Sequence, residues 1–438
     1  MLRFYVKCFK LALSNLAKYS VNQKIFPIKT ATACQLKWSH STVFLTSLST
    51  ASCHRVNQTK FDLNTFNFHN TPEKLQDRRL MLEGKWPGRG CEHCKSIEVA
   101  GGTSDRMIHL DFPGITAPPE LDTDLTAVNI SPRILEIYFS NVCNLKCTYC
   151  TPKFSSQINQ ENIKFGTFNK NGVHINSEFQ IPENFSDATD QMFKWLDKNI
   201  QNLNKLLILG GEPFIQKETQ RLLNFIETKK LPNLDLVFFS NLTIDHEKFK
   251  YQIDQIQKLK INSQLNQINL IGSIDCWGKP AEYVRYGLQL DLFEKNFEYV
   301  LNNTDIVLNI NSALGPLTIP SLPDLVEKIN SWSRVRTVYW SLMKTGGHKY
   351  FHPTIFGPML LNMGYQQAID KFDAMGDPDK MKYKEYFEGI AKEIAHSQSN
   401  PNLQCQLKTY LTELDRRRGT DYTKTFPTIA KLLKDIEI

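Results

Sequence analysis

The sequence predicts an α/β protein. Two observations carry that expectation: short apolar runs recur six times between about residues 130 and 345, and segments with apolar residues at helical spacing lie between them. A third is where the punctuation falls. A cysteine cluster and a Gly-Gly pair each sit just past the end of such a run, the edge at which parallel α/β proteins build their sites. The alternation alone fits either a barrel or a doubly wound sheet.

The predicted strands cover 134–139, 206–209, 234–239, 268–274, 305–311 and 335–342. Among the helical segments, 190–200 places Met192, Phe193, Leu196 and Ile200 on one face, and 215–226 and 322–329 read similarly. The connection from Thr151 to Ser186 is long, rich in Asn and Gln and poor in helix signal, which suits a lid or an insertion. Upstream, Thr71-Pro72 reads as a cap and first-turn proline for a helix over 73–82 that stops at Gly84. Beyond residue 346 come helices around 380–395 and 402–417, expected to cover the open side of the fold, with no chemistry legible in them.

Composition narrows the function classes. The 438 residues are 41% apolar and 11% aromatic, enough for a substantial core, and no run approaches the roughly 18–20 apolar residues of a membrane span. Of the formal charge of +7, the excess sits at the start: residues 1–61 hold nine Lys/Arg and no acid. The rest is nearly neutral, which argues against a surface that coats nucleic acid. Residues 1–31, basic and alternately apolar, suggest a transit peptide but carry only Arg3 as arginine, and a solvated leader is the expected reading.

The ten cysteines are too sparse for a disulfide scaffold, and their clustering points to metal ligation in a reducing compartment, hence a cytoplasmic expectation. Cys8, Cys276 and Cys405 stand alone and read as incidental thiols. Cys143, Cys147 and Cys150 form a CxxxCxxC loop. A closed zinc site takes four ligands and a ferredoxin-type cubane takes four cysteines, so three thiolates leave one iron of a [4Fe–4S] cluster open to a cofactor. A zinc knuckle that borrows a distant fourth ligand is the alternative. Downstream, Gly210-Gly211 allows close backbone approach, and Glu212, held at a strand end before Pro213, can accept from an amine.

With CxxxCxxC and GGEP at this separation, residues 130–345 resemble the radical S-adenosylmethionine (SAM) superfamily. The resemblance implies a partial (β/α)6 TIM-like barrel. It implies that Cys143, Cys147 and Cys150 hold a [4Fe–4S] cluster whose open iron is chelated by SAM, with Gly210, Gly211, Glu212 and Pro213 around the methionyl amine. It further implies Tyr149 near the adenine, Ser240 and Asn241 near the ribose or methionyl part, Ser273 and Asp275 as a strand-end motif, and Arg285 on the SAM carboxylate. A one-electron donor such as flavodoxin or ferredoxin is implied as a partner.

A second group lies upstream. Cys91-Glu-His-Cys94, with Cys34 and Cys53, makes a complete set for a closed zinc site or a fully liganded [4Fe–4S] cluster, and His40, His54 or His93 could replace a thiolate in the zinc version. Together with Trp86, Glu98, Gly101, Ser104 and Arg106, this segment resembles the twitch (shortened SPASM) module, which implies an auxiliary cluster. The module here precedes the barrel, and no glycine lies between Cys34 and Cys53. The expected organisation is a leader (1–31), a twitch-like module (32–128), a radical SAM barrel (129–345) and a helical extension (346–438).

The resemblance implies reductive cleavage of SAM to a 5′-deoxyadenosyl radical that takes hydrogen from a peptide or small-molecule substrate. No nucleophile elbow or HExxH motif competes with that reading. A rival of another class is a non-enzymatic iron–sulfur or zinc protein that senses redox state, in which GGEP is only a turn.

Overall fold

The computed structural model describes residues 26–99, 101–109, 116–175, 179–345, 348–374 and 378–437. The leader read over 1–31 lies outside them up to residue 25, as do Cys8, Gly346 and Gly347. The chain is a mixed α/β protein with a large parallel sheet. It divides into two compact units, one formed by the described residues up to Phe139 with Ile181–Ile208 and Leu231–Leu236, the other by Ser140–Gln180, Leu209–Lys230 and Val237–Ile438. Among the described residues no helix is long and apolar enough to cross a membrane.

In the first unit, the strand Ile134–Tyr138 pairs in parallel with His40–Phe44, from His40 against Ile134 to Phe44 against Tyr138. His40–Phe44 in turn pairs antiparallel with Ser49–Ala51, and that strand with Thr59–Lys60. The sequence reading had no strand at His40–Phe44 because its first three residues are polar, although all five are buried. Hydrogen bonds satisfy those three, while Val43 and Phe44 pack in the core. Ser41 Oγ meets His69 Nδ1 at 2.7 Å, and Thr42 Oγ1 donates to Glu136 Oε2 at 2.7 Å.

The helix Pro72–Leu82 starts as its cap predicts, with Thr71 Oγ1 accepting from the Lys74 amide. Its buried face carries Lys74, Asp77 and Arg78 beside Met81. Lys74 Nζ donates to Ser41 Oγ, Thr50 Oγ1 and the Phe68 carbonyl, and Arg78 to the carbonyls of Lys37, His69 and Val128. Apolar packing around Phe26, Trp38, Met81 and Ile134 closes the core, with Cys34 and Cys91 in it.

In the second unit, Gln267–Ser273, Val307–Leu314 and Val338–Lys344 lie parallel in that order. Gln267–Ser273 alternates buried and half-buried positions, as a strand with one fully covered face does. Helices His246–Asn262, Leu290–Asn303 and Leu322–Ser333 alternate with these strands and bury apolar faces such as Phe249, Ile253, Ile256 and Leu259. All six predicted strands are present, with ends displaced by no more than a turn.

The connection from Thr151 to Ser186, read as poor in helix signal, is corrected on that point. It holds the helix Ser156–Phe165, capped by Ser155 Oγ on the Ile158 amide, and a hairpin of Phe168–Lys170 with Val173–Ile175. The helix escaped the pattern because its buried face includes Glu161 and Asn162. The tail forms Pro378–Ala395 and Pro401–Arg418 as expected.

Candidate active site

All residues of the CxxxCxxC and GGEP motifs beyond Leu209 belong to the second unit, and the backbone binds the two loops together. The Glu212 amide donates to the Val142 carbonyl at 2.8 Å. Gly211 has φ +54°, and a Cβ there would lie 2.1 Å from that same carbonyl oxygen. The close approach that the Gly-Gly pair allows is therefore to the cysteine loop itself. Gln216 completes the crossing, its Nε2 donating to the carbonyls of Gly210 (2.7 Å) and Val142 (3.3 Å).

The cysteine loop is braced on every side. The Cys143 amide donates to Ser156 Oγ at 3.1 Å, and Ser155 Oγ donates to the Leu145 carbonyl at 2.7 Å. Lys146–Cys147 pairs antiparallel with Arg285–Tyr286, and the Thr148 amide reaches the Val284 carbonyl. The Leu145 amide points at Cys143 Sγ, 3.4 Å away, the kind of N–H···S contact that stabilises a thiolate. Cys147 lies within Coulombic reach of both Cys143 and Cys150. Burial pushes the Cys143 thiol up to about 12, with Cys147 as the next cause, so without a positive ligand these sulfurs stay protonated at neutral pH.

Glu212 is fully enclosed. Oε1 accepts from Ser240 Oγ (2.9 Å) and the Phe214 amide (3.2 Å), and Oε2 from the Asn241 amide (2.6 Å). Burial lifts its carboxyl to about 7, although these three donors and Arg285 oppose the rise. Pro213 opens the turn Pro213–Ile215, in which Pro213 and Phe214 are buried. Asn241 Nδ2 donates to Asn144 Oδ1 at 2.7 Å, so Glu212, Ser240, Asn241 and the cysteine loop form one connected patch.

Asp275 and Arg285, both buried, form a second group with the half-buried Tyr149. Arg285 Nε and Nη2 grip the two oxygens of Asp275 at 2.9 and 2.8 Å, and Tyr149 Oη donates to Asp275 Oδ2 at 2.7 Å. The Ala313 amide adds a fourth bond to this carboxylate. Arg285 is thus held by Asp275 rather than reaching out alone, and it lies within Coulombic reach of Cys143, Cys147, Cys150 and Glu212. Ser273 ends its strand half-buried.

The tail contributes what the sequence reading missed. Tyr410 Oη donates to the Thr148 carbonyl at 2.7 Å, inside the cysteine loop. Arg418 shares the buried Glu161 with Lys146. A cleft beside Cys150 is lined by His174, His348, Tyr410, Leu414 and Arg418. Gln216 was also missed, because it opens the polar run 216–221 and nothing in the sequence sets it apart.

In the first unit, Cys34, Cys53, Cys91 and Cys94 are linked pairwise through their fields. Cys34 feels Cys53 and Cys91, and Cys53 feels Cys94. Gly90, at φ +112°, crosses the segment after Cys53 so tightly that a Cβ would lie 2.2 Å from the Arg55 carbonyl oxygen. Arg106 grips Glu98 and donates to the Ala33 carbonyl at 2.6 Å, next to Cys34, with its guanidinium 5.2 Å from the Trp86 ring centre. Ser104 Oγ also donates to Glu98, whereas Gly101 stands exposed in a turn. The nine described cysteines are all free of disulfides.

Among the described residues no three His, Cys, Asp or Glu side chains already draw together as a single-ion site. The test of fit lies in the donors. Cys143, Cys147 and Cys150 put one buried and two half-buried cysteines on one braced loop beside the buried cation Arg285. An unsatisfied acceptor stands next to them: Gln216 is 3% exposed, its amide hydrogens are committed to two carbonyls, and Oε1 has no partner. A flip of the amide would set oxygen against those carbonyls, so its orientation is determined. Three thiolates for a cluster and a buried acceptor for an ammonium group match what a SAM-bound [4Fe–4S] cluster requires.

The chain matches no family model and no curated protein. Among solved structures it is similar to native anSMEcpe with bound AdoMet and Cp18Cys peptide, at 15% identity and a TM-score of 0.33, covering 58% of this chain and 61% of that one. It is also similar to Streptococcus suis SuiB bound to precursor peptide SuiA, at 15% identity and a TM-score of 0.35, covering 67% and 54%. The chain therefore spans about three fifths and about half of those two proteins. The likeness is too distant to carry an argument, and the chain's own geometry carries it instead.

Proposed function

We propose that this chain is a radical SAM enzyme whose strands and helices form a partial (β/α)6 barrel, acting on a peptide or small molecule. The observation that supports it most is the crossing of Val142 with Gly211, Glu212 and Gln216, which ties a three-thiol loop to an amine-accepting loop. In this reading Cys143, Cys147 and Cys150 hold the cluster, and Cys34, Cys53, Cys91 and Cys94 hold an auxiliary one. When bound, the cluster and SAM supply a one-electron reductive cleavage that yields a 5′-deoxyadenosyl radical able to take hydrogen from substrate.

The protein's own residues do the positioning. Gln216 Oε1 accepts from the methionyl ammonium, which removes the cost of a buried unpaired acceptor, about 1–3 kcal/mol. Glu212 acts through the strand ends it ties, holding Ser240 and Asn241 and adding negative charge near that ammonium. Arg285, fixed by Asp275, balances the thiolates. Tyr410 and Arg418 close the loop from the tail side, and the cleft beside Cys150 admits the substrate.

Anaerobic reconstitution with iron and sulfide, followed by assay for 5′-deoxyadenosine with SAM and dithionite, tests the proposal. Deoxyadenosine that depends on Cys143, Cys147 and Cys150 is the expected result. A fully loaded cluster that forms none would instead favour the redox-sensor reading.

A further inference from the structure

The first unit holds an imbalance of buried charge that the proposed chemistry leaves unused. The Lys37 side chain is 2% exposed, and its ammonium sits 2.5 Å from Asp77 Oδ2. Arg89 reaches the same oxygen at 3.5 Å. Arg78, wholly buried, lies within Coulombic reach of Asp77 and donates from Nε to the Lys37 carbonyl at 2.7 Å. The buried cations Lys37 and Arg78 and the part-exposed Arg89 thus share Asp77, while Glu120 lies within reach of Arg78. Charge out of water needs a partner, so a further anion is expected beside Lys37.

The neighbours that can supply it are sulfurs. The Lys37 amide donates to the Cys34 carbonyl at 2.9 Å, Arg89 on the Asp77 oxygen stands two residues before Cys91, and Cys91, Cys34 and Cys53 all lie within the field of the Lys37 ammonium. Neutral thiols would leave the imbalance standing, whereas thiolates bound to a metal group would remove it. The second unit repeats the arrangement with other residues, since Arg285 is fixed by Asp275 beside Cys143, Cys147 and Cys150.

We infer that Lys37 is the charge partner of the four-cysteine group and makes the iron–sulfur cluster held there easier to reduce. Asp77 positions the ammonium and partly offsets its charge. The inference rests on the proposed auxiliary cluster. A fixed positive charge stabilises the reduced, more negative form, so its removal drives the reduction potential down.

The test uses the full chain carrying Cys143→Ala, Cys147→Ala and Cys150→Ala, reconstituted anaerobically, so that the signal comes from the four-cysteine group. Iron content is measured first and the midpoint potential next, by a redox titration followed by electron paramagnetic resonance. Roughly four iron per chain is expected. Lys37→Met should keep the iron and shift the midpoint to more negative values, Lys37→Arg should restore it, and Asp77→Asn should move it the opposite way. A parent that takes up zinc alone, or no metal, overturns the auxiliary-cluster reading and the inference with it. Iron retained with an unmoved midpoint in Lys37→Met overturns the inference alone. Should Lys37→Met fail to fold, the sign of the shift in Asp77→Asn decides: a negative or absent shift refutes the role of Lys37.

Discussion

Replacing Gly211 by alanine probes the crossing on which the candidate site depends. The backbone there has φ +54°, a conformation that costs an L-residue about 1–2 kcal/mol. The larger effect is steric. The new Cβ would stand 2.1 Å from the Val142 carbonyl oxygen and 2.8 Å from its carbon, well inside normal contact. Relief requires the cysteine loop or the GGEP loop to move by about 1 Å, which strains the Glu212–Val142 and Gln216–Val142 hydrogen bonds, each worth roughly 0.5–1.5 kcal/mol. The sum is about 2–5 kcal/mol. Gly419→Ala is the matched control: its φ is +68°, and nothing lies within 4 Å of the added Cβ. It should lose only the conformational share. Denaturant unfolding of both variants, with iron content after reconstitution, separates the two effects. If Gly211→Ala unfolds and loads iron as Gly419→Ala does, the crossing does not hold the site together.

Three further outcomes follow from named contacts. Arg285→Met should destabilise the second unit by about 3–5 kcal/mol, because it leaves the Asp275 carboxylate buried against Tyr149 and the Ala313 amide alone; addition of Asp275→Asn should recover part of the loss, and a double-mutant cycle by denaturation measures it. Tyr410→Phe should cost about 1 kcal/mol by removing the bond to the Thr148 carbonyl, and should speed iron release to a chelator under anaerobic conditions. Burial would raise the Glu136 carboxyl, yet His40, by charge and hydrogen bond, and the Thr42 hydroxyl hold it below the ordinary range. Its contribution is therefore complete above about pH 4.5 and is lost as pH falls through the lower folded value. Glu136→Gln should flatten that acid limb in thermal melts from pH 6 to 3, and an unchanged slope would refute the pairing.

Much of the fold was legible because it is written in local pattern. The six strands and the helices packed on them bury apolar faces, so period two and period 3.6 show in the residues themselves. Two elements were hidden for one shared reason: His40–Phe44 and Ser156–Phe165 bury polar side chains, among them Ser41, Thr42, Glu161 and Asn162, and satisfy them by hydrogen bonds or ion pairs. Hydrophobic periodicity has no way to register such burial.

By itself the sequence determined the three sulfurs of one loop, the glycine pair and carboxylate beyond the next strand, and the four upstream cysteines with their Glu98, Ser104 and Arg106 companions. For Cys143, Cys147 and Cys150 and for the glycine pair short spacings suffice, because chain geometry alone keeps such neighbours on one loop. Only the tertiary structure decided that Gly211 makes room for Val142, that Arg285 is gripped by Asp275, and that Tyr410 closes on Thr148 from 262 positions away. The same holds for Lys37 and Asp77, 40 positions apart. Each of these depends on which distant surfaces the folding of the whole chain brings together, and the charges and clashes that give those residues their tasks do not exist until it has done so.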